Sequence, residues 1–257
     1  MTTTALHVDH TPSPAGSPSG APTRVAPVSH TVVLVVVFLV VALAGASMQH
    51  GMAAAATSTA PRSQIPLYLS AIIMEWGLVY YVWRVGLTRT NVPLRELIGG
   101  RWRSWRDVVI DVLWGAAAWG VWAAFSAVVA RRNGAHTAAT VSAMLPQRPL
   151  EIALWVLVSL SAGFSEELVF RGYFQRQFHA LSGSATLALL AQAVLFGVSH
   201  GYQGLRSCLT ITCYGVLFGL VARQRSSLRP GMMAHAWTDI AAGIFRIGRR
   251  RAGRDQL

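Results

Sequence analysis

The stretch Gly163-Phe-Ser-Glu-Glu-Leu-Val-Phe-Arg-Gly172 breaks a long apolar run with two adjacent carboxylates and an arginine. Beside lipid such charges are expensive, so they belong inside a helix bundle or a wet cavity, where they carry function. The fold then turns on whether the surrounding apolar runs are membrane spans. Of 257 residues, 53% are hydrophobic and only 12% charged, too little polar surface for a soluble domain of this size. The chain is expected to be all-α: a polytopic membrane helical bundle of six to eight transmembrane helices, with an active-site cavity between helices.

Outward from that stretch, the basic residues, 22 in number and all arginine, give a net charge of +12. They cluster between apolar segments, where lipid headgroups and topology account for them. A basic patch interleaved with aromatics on a soluble fold is absent, which argues against nucleic acid as a partner. Cys208 and Cys213 lie five residues apart in one apolar segment, a rotation of about 500° on a helix. They point to nearly opposite faces, so two buried, inert thiols are expected rather than a disulfide, and no cysteine cluster suggests structural zinc.

Residues 1–30 are rich in Pro, Ser, Thr, Gly and Ala and are expected to form a disordered tail. An integral membrane helical domain over 31–248 follows, then a basic tail over 249–257. The run from Thr31 to about Ser47 has almost no basic n-region, so it reads as a retained first membrane helix rather than a cleaved signal. Spans are expected over about 66–83, with Glu75 inside, and 108–130, with Asp111 in its first turn near an interface. Glu75 is deeper and needs a partner; structural pairing is the simpler account of it. A fourth span from about Leu150 is expected to bend at Gly163 and emerge toward an interface as a second helix. Further spans are expected over 185–199, 205–222 and 230–247. The loop from Arg84 to Arg106 carries six arginines and the tail from Arg246 to Arg254 five. Both are expected on the cytoplasmic side, which requires a break in the simple alternation of seven crossings.

Three polar elements interrupt these spans. Ser165-Glu166-Glu167 is an ordinary helix start, a serine cap with acids in the first turn, and Glu167 with Arg171 is an ordinary i, i+4 pair. The same geometry also suits chemistry: adjacent residues point about 100° apart, so Glu167 can face Arg171 while Glu166 faces elsewhere. Two carboxylates in unlike surroundings can take different roles. His200 closes Phe196-Gly-Val-Ser-His200, with Gly201 as the expected C-cap; a histidine there is a cap or a catalyst. His235 and Asp239 share a helix face at i, i+4, as a buried pair or as an imidazole oriented by a carboxylate. Each element has a structural reading alone, but a shared intramembrane site is the one account that justifies desolvating all three.

These residues resemble a known family. Glu166 to Arg171 fits EExxxR, Phe196 to His200 fits FxxxH, and His235 to Asp239 fits Hxxx(N/D), in the order found in the CPBP family. That family comprises CAAX prenyl-protein endopeptidases and bacteriocin-processing or immunity proteins, also called Abi; the resemblance covers roughly residues 150–245. It implies an intramembrane endopeptidase of a membrane-associated protein or peptide, in a multi-pass protein of the cell membrane. By that resemblance Glu166, helped by His200, activates water, Glu167 and Arg171 hold the site in shape, and His235 with position 239 stabilises the oxyanion. Position 239 is typically asparagine in the prenyl-protease branch. Asp239 cannot donate a hydrogen bond when ionised, so it is expected to orient or charge His235, leaving His235 as donor.

The family has also been described as metal-dependent. Zinc would be held if Glu166, His200 and His235 converged as a His2Glu set, although the HExxH spacing is absent; a metal-free glutamate mechanism is favoured. The competing functions are a non-catalytic immunity or scaffold protein that uses the same charged cavity for binding, and a transporter that uses Glu75, Glu166, Glu167 and the histidines as a proton path. No internal repeat supports the last.

Overall fold

A helix that carries Glu166, Glu167 and Arg171 cannot face lipid, and the chain buries it at the centre of the bundle. The structure is a computed structural model that describes residues 22–56, 63–133 and 144–254, with side chains described over 22–47, 63–132 and 144–244. Its helices are α1 (Val28–Ala56), α2 (Ile65–Tyr81), the short α3 (Leu94–Ile98), α4 (Trp105–Asn133), α5 (Pro149–Glu166), α6 (Gln175–Ser182), α7 (Ala185–Ser199), α8 (Leu205–Arg225) and α9 (Arg229–Arg254). No strand occurs among the described residues.

Among the described residues five helices are long and apolar enough to cross a bilayer: Val28–Ser47, Ile65–Thr90, Trp105–Arg132, Pro149–Ser182 and Leu205–Arg225. With α7, apolar but only 15 residues long, and α9, the described bundle helices fall within the six to eight expected. Their outer faces are apolar: Leu43, Ile73, Met74, Leu113 and Leu209 are exposed, as side chains facing hydrocarbon should be.

The expected bend at Gly163 is not formed. From Pro149 to Ser182 the chain is one helical element of 34 residues, in which α5 passes into a π-helical stretch, Glu167–Phe174, and then α6. Gly163 serves close approach instead: a Cβ there would lie 2.8 Å from the Met232 carbonyl oxygen and 3.0 Å from the Ala236 nitrogen of α9. Small residues at such crossings let helix backbones touch where lipid offers no hydrophobic drive. The irregularity falls four residues later, as a wide turn in which every residue from Glu167 to Phe174 is buried; π turns within helices recur at functional sites.

Around this element the apolar core closes. Phe170 packs on Phe196 of α7 and Phe38 of α1, with ring centroids 4.8 and 5.1 Å apart. The stretch expected as a disordered tail is packed over its described part. Val25 and Ala26 are buried, and the buried Gln177 amide accepts from both their N–H groups and donates to the Ala26 carbonyl. Tyr173 continues the clasp, its hydroxyl 2.7 Å from His30 Nδ1 and 2.9 Å from Thr31 Oγ1. Residues 1–21 of the expected tail lie outside the described residues.

Asp111 is 2% exposed and gathers the loops at one end of the bundle. It accepts from Trp102 Nε1 and Arg225 Nη2, each at 2.9 Å, and from Ser227. At the same end the Leu228 N–H donates to Ile98, Arg229 to Gly100, and Arg176 to Glu96. The loop from Arg84 to Arg106 and the turn from Arg223 to Arg229 therefore lie together. Helix α9 leads away from them for 26 residues, about 39 Å at 1.5 Å per residue. Residues 246–254 thus lie toward the far end of α9. The basic stretch from 249 also continues α9 as far as Arg254 rather than starting a separate tail. On α8 both cysteines are unpaired, but Cys213 is exposed and Cys208 half-buried. The thiols are not core groups, since opposite faces of an outer helix reach the surface.

Candidate active site

Glu167 is the hub of the polar cluster. Its side chain is fully buried, and Oε1 lies 2.9 Å from Arg171 Nη1 and 3.1 Å from His235 Nδ1. One carboxylate oxygen thus ties the motif of the central element to that of α9. The Arg171 approach is a charge contact outside hydrogen-bond angles. Its guanidinium is otherwise enclosed by π faces, 4.3 Å from the Phe196 centroid and 5.8 and 5.9 Å from those of Tyr214 and Phe218. Desolvated cation–π contacts of this kind are worth about 2 kcal/mol or more each at best geometry. Gly231 makes room for the second oxygen: a Cβ there would sit 2.7 Å from Glu167 Oε2.

His235 is 6% exposed. With Nδ1 engaged by Glu167, its Nε2 faces Glu166 Oε2 at 3.7 Å and Asp239 Oδ2 at 3.6 Å. Glu167 holds the ring by a hydrogen bond, while Asp239, expected to orient or charge it, lies within ion-pair distance of Nε2 without a hydrogen bond. Asp239 and Glu166 instead stand on the same side of the imidazole, with side chains 35% and 24% exposed. Their exposure matters, because it opens this nitrogen and these two acids to a ligand while Glu167 and Arg171 remain sealed. Trp155 Nε1 donates to the Asp239 carbonyl at 2.8 Å, which fixes α9 against α5 beside the site.

His200 is brought close through Phe196, whose ring edge it meets at 4.9 Å. Its Nδ1 lies 2.9 Å from the Phe196 carbonyl oxygen. Among the described residues Nε2 has no hydrogen-bond partner and no carboxylate lies within ion-pair distance. Gly201 is not the C-cap. His200 itself ends α7, a short 3-10 turn follows, and Gly204 takes the positive φ of 88°. The order follows from packing, since a Cβ at Gly201 would lie 3.0 Å from the Ala42 carbonyl oxygen of α1. Among the described residues no three His, Cys, Asp or Glu side chains are placed to hold a metal ion. The convergence of Glu166, His200 and His235 that zinc would need is not met, and no step is routed through a metal.

Residues outside the three motifs share this electrostatic environment, Tyr214 of α8 among them. Glu75 of α2 interacts with the charges of Glu166, Asp239 and His235, although its spacing from the motifs gave no sign of it. Tyr202, in the turn after α7, interacts with Glu166 and Asp239. Burial first, and then those negative charges, push its phenol up to about 12, so it keeps its proton.

No curated protein and no solved structure matches the chain. Residues 148–241 match the family model described as Rce1-like, type II CAAX prenyl endopeptidase, so the segment that holds all three motifs is of that family.

Proposed function

We propose that the protein is an intramembrane endopeptidase that hydrolyses a peptide bond of a membrane-associated protein or peptide, with Glu166 as the base. The observation that carries this reading is the convergence of Glu166, Glu167 and Asp239 on one imidazole, His235, inside an apolar bundle. A purely structural role accounts for Glu167 and Arg171, which neutralise one another as a buried ion pair. It does not account for Glu166, whose Oε2 is buried without a hydrogen-bond partner and which costs stability unless a ligand or water uses it.

In this reading Glu166 takes a proton from a water molecule, which attacks the substrate carbonyl. His235 in its protonated form donates from Nε2 to the developing oxyanion, and removal of such a donor typically costs about 3–4 kcal/mol. Glu167 holds the imidazole by Nδ1 and is itself held by Arg171. His200, whose Nε2 has no protein partner among the described residues, assists the water. The family match of residues 148–241 supports testing CAAX-type substrates, and a farnesylated CAAX peptide is the first to try. Peptidomes of cells carrying the parent chain or Glu166→Gln test the reading. Membrane-derived fragments present only with the parent support it; identical peptidomes with an unchanged cellular phenotype favour a binding or immunity role.

Position 239 has its own test. Because Asp239 lies on the Nε2 side of His235, an amide there adds a donor where the oxyanion would form. Asp239→Asn is expected to keep or raise the cleavage rate, and Asp239→Ala to lower it about tenfold or more. Rates equal to the parent in both variants remove this residue from the site.

A further inference from the structure

Among the described residues Glu75 is the acid outside the three motifs that interacts with the charges of this site. It is 8% exposed, and its Oε2 has no hydrogen-bond partner. Among the described residues no ion pair includes it. The groups that act on it are the Ser161 hydroxyl of α5, which hydrogen-bonds to its carboxyl group, and the charges of Glu166 of the central element and of Asp239 and His235 of α9. The imidazole is already shared by three other carboxylates. The neighbouring Trp76 stacks on Phe164 of α5, two residues before Glu166, with ring centroids 5.5 Å apart, which holds α2 at Glu75 against the element that carries Glu166.

A buried carboxylate with neither cation nor N–H for one of its oxygens is costly, and two acids opposite raise the cost. A neutral carboxyl group, with its O–H directed into the cavity, avoids it. Peptide hydrolysis needs such a donor, because the leaving nitrogen must gain a proton as the C–N bond breaks.

We propose that Glu75 is a catalytic residue that donates this proton, so that two carboxyl groups from facing helices divide the acid and base work; this rests on the endopeptidase reading. Glu166 removes a proton from water as the water oxygen bonds to the carbonyl carbon, and the π pair moves onto the carbonyl oxygen. When the carbonyl re-forms, the C–N bond breaks, its electron pair stays on nitrogen, and nitrogen takes the proton of Glu75. One proton then passes from Glu166 to Glu75 through water in the cavity, and both groups are restored. The sum is peptide plus water giving acid plus amine.

The experiment compares a farnesylated CAAX peptide with its depsipeptide, in which an ester oxygen replaces the scissile N–H, on the full chain in proteoliposomes. An alkoxide leaves without prior protonation far more readily than an amide nitrogen. Glu75→Gln is expected to lower the amide-to-ester ratio of kcat by about 10²-fold, with KM for the peptide little changed. Glu75→Asp, which keeps a donor on a shorter stem, should give a ratio between the two. An equal loss on both substrates, or no loss on either, overturns the proposal, and if Glu75→Gln does not fold, an Asp variant with the parent's ratio does the same. A parent that cleaves neither substrate, or a Glu166→Gln protein as active as the parent, overturns the endopeptidase reading and this proposal with it. Equal amide and ester losses in Glu75→Gln, beside an inactive Glu166→Gln, overturn the proposal alone.

Discussion

Glu166→Gln is expected to lower kcat on a cleaved peptide by about 10²- to 10⁴-fold, the range that a positioned general base supplies, while the protein stays folded. Glutamine keeps the shape of the side chain and removes its charge and basicity. Folding should tolerate this, because Glu166 makes no hydrogen bond through Oε2 and its approach to His235, at 3.7 Å, is a long one. Turnover in proteoliposomes, beside thermal unfolding of the same preparation, checks both halves. A loss of only a few-fold, or a loss that tracks unfolding, removes Glu166 from the role of base.

Arg171→Met should do the reverse and act first on stability. The arginine and Glu167 are both fully buried and 2.9 Å apart. Removing one partner leaves an uncompensated charge in the bundle core, a change that costs about 3–5 kcal/mol. The cation–π contact with Phe196 is lost as well. Because most of the penalty is the stranded carboxylate, the double variant Arg171→Met, Glu167→Gln should recover much of the stability. It should not recover activity, since the amide holds His235 Nδ1 only weakly. Unfolding midpoints of the two single variants and the double close the cycle. Additive losses would mean that the pair does not act as a unit.

The helical bundle was legible because apolar runs of membrane length, and charges too costly for lipid, leave few alternatives. Glu166, Glu167, His235 and Asp239 were legible for a related reason: i, i+1 and i, i+4 spacings fix faces on a helix, and those faces do meet. What spacing could not carry is contact between distant helices. Glu75 stands some ninety residues before Glu166 with no motif around it, and only the packing of α2 on α5 brings it to the cavity. The hold of Glu167 on His235 was hidden for the same reason, since that hydrogen bond runs between helices. Gly163 was misread as a hinge because a glycine that breaks a helix and one that admits a neighbouring backbone look alike in a sequence.

The wide turn from Glu167 to Phe174 sets the phase of everything beyond it. Upstream, the element turns Glu166 and Glu167 toward α9; downstream, it turns Tyr173 and Gln177 toward the start of α1. Excising a single residue from this turn would restore ordinary helical register and rotate the downstream half by about 100°, so the reactive face and the N-terminal clasp could no longer both find their partners. The stretch is in effect a mechanical gauge, and its length in residues is as strictly specified as the chemistry of its acids.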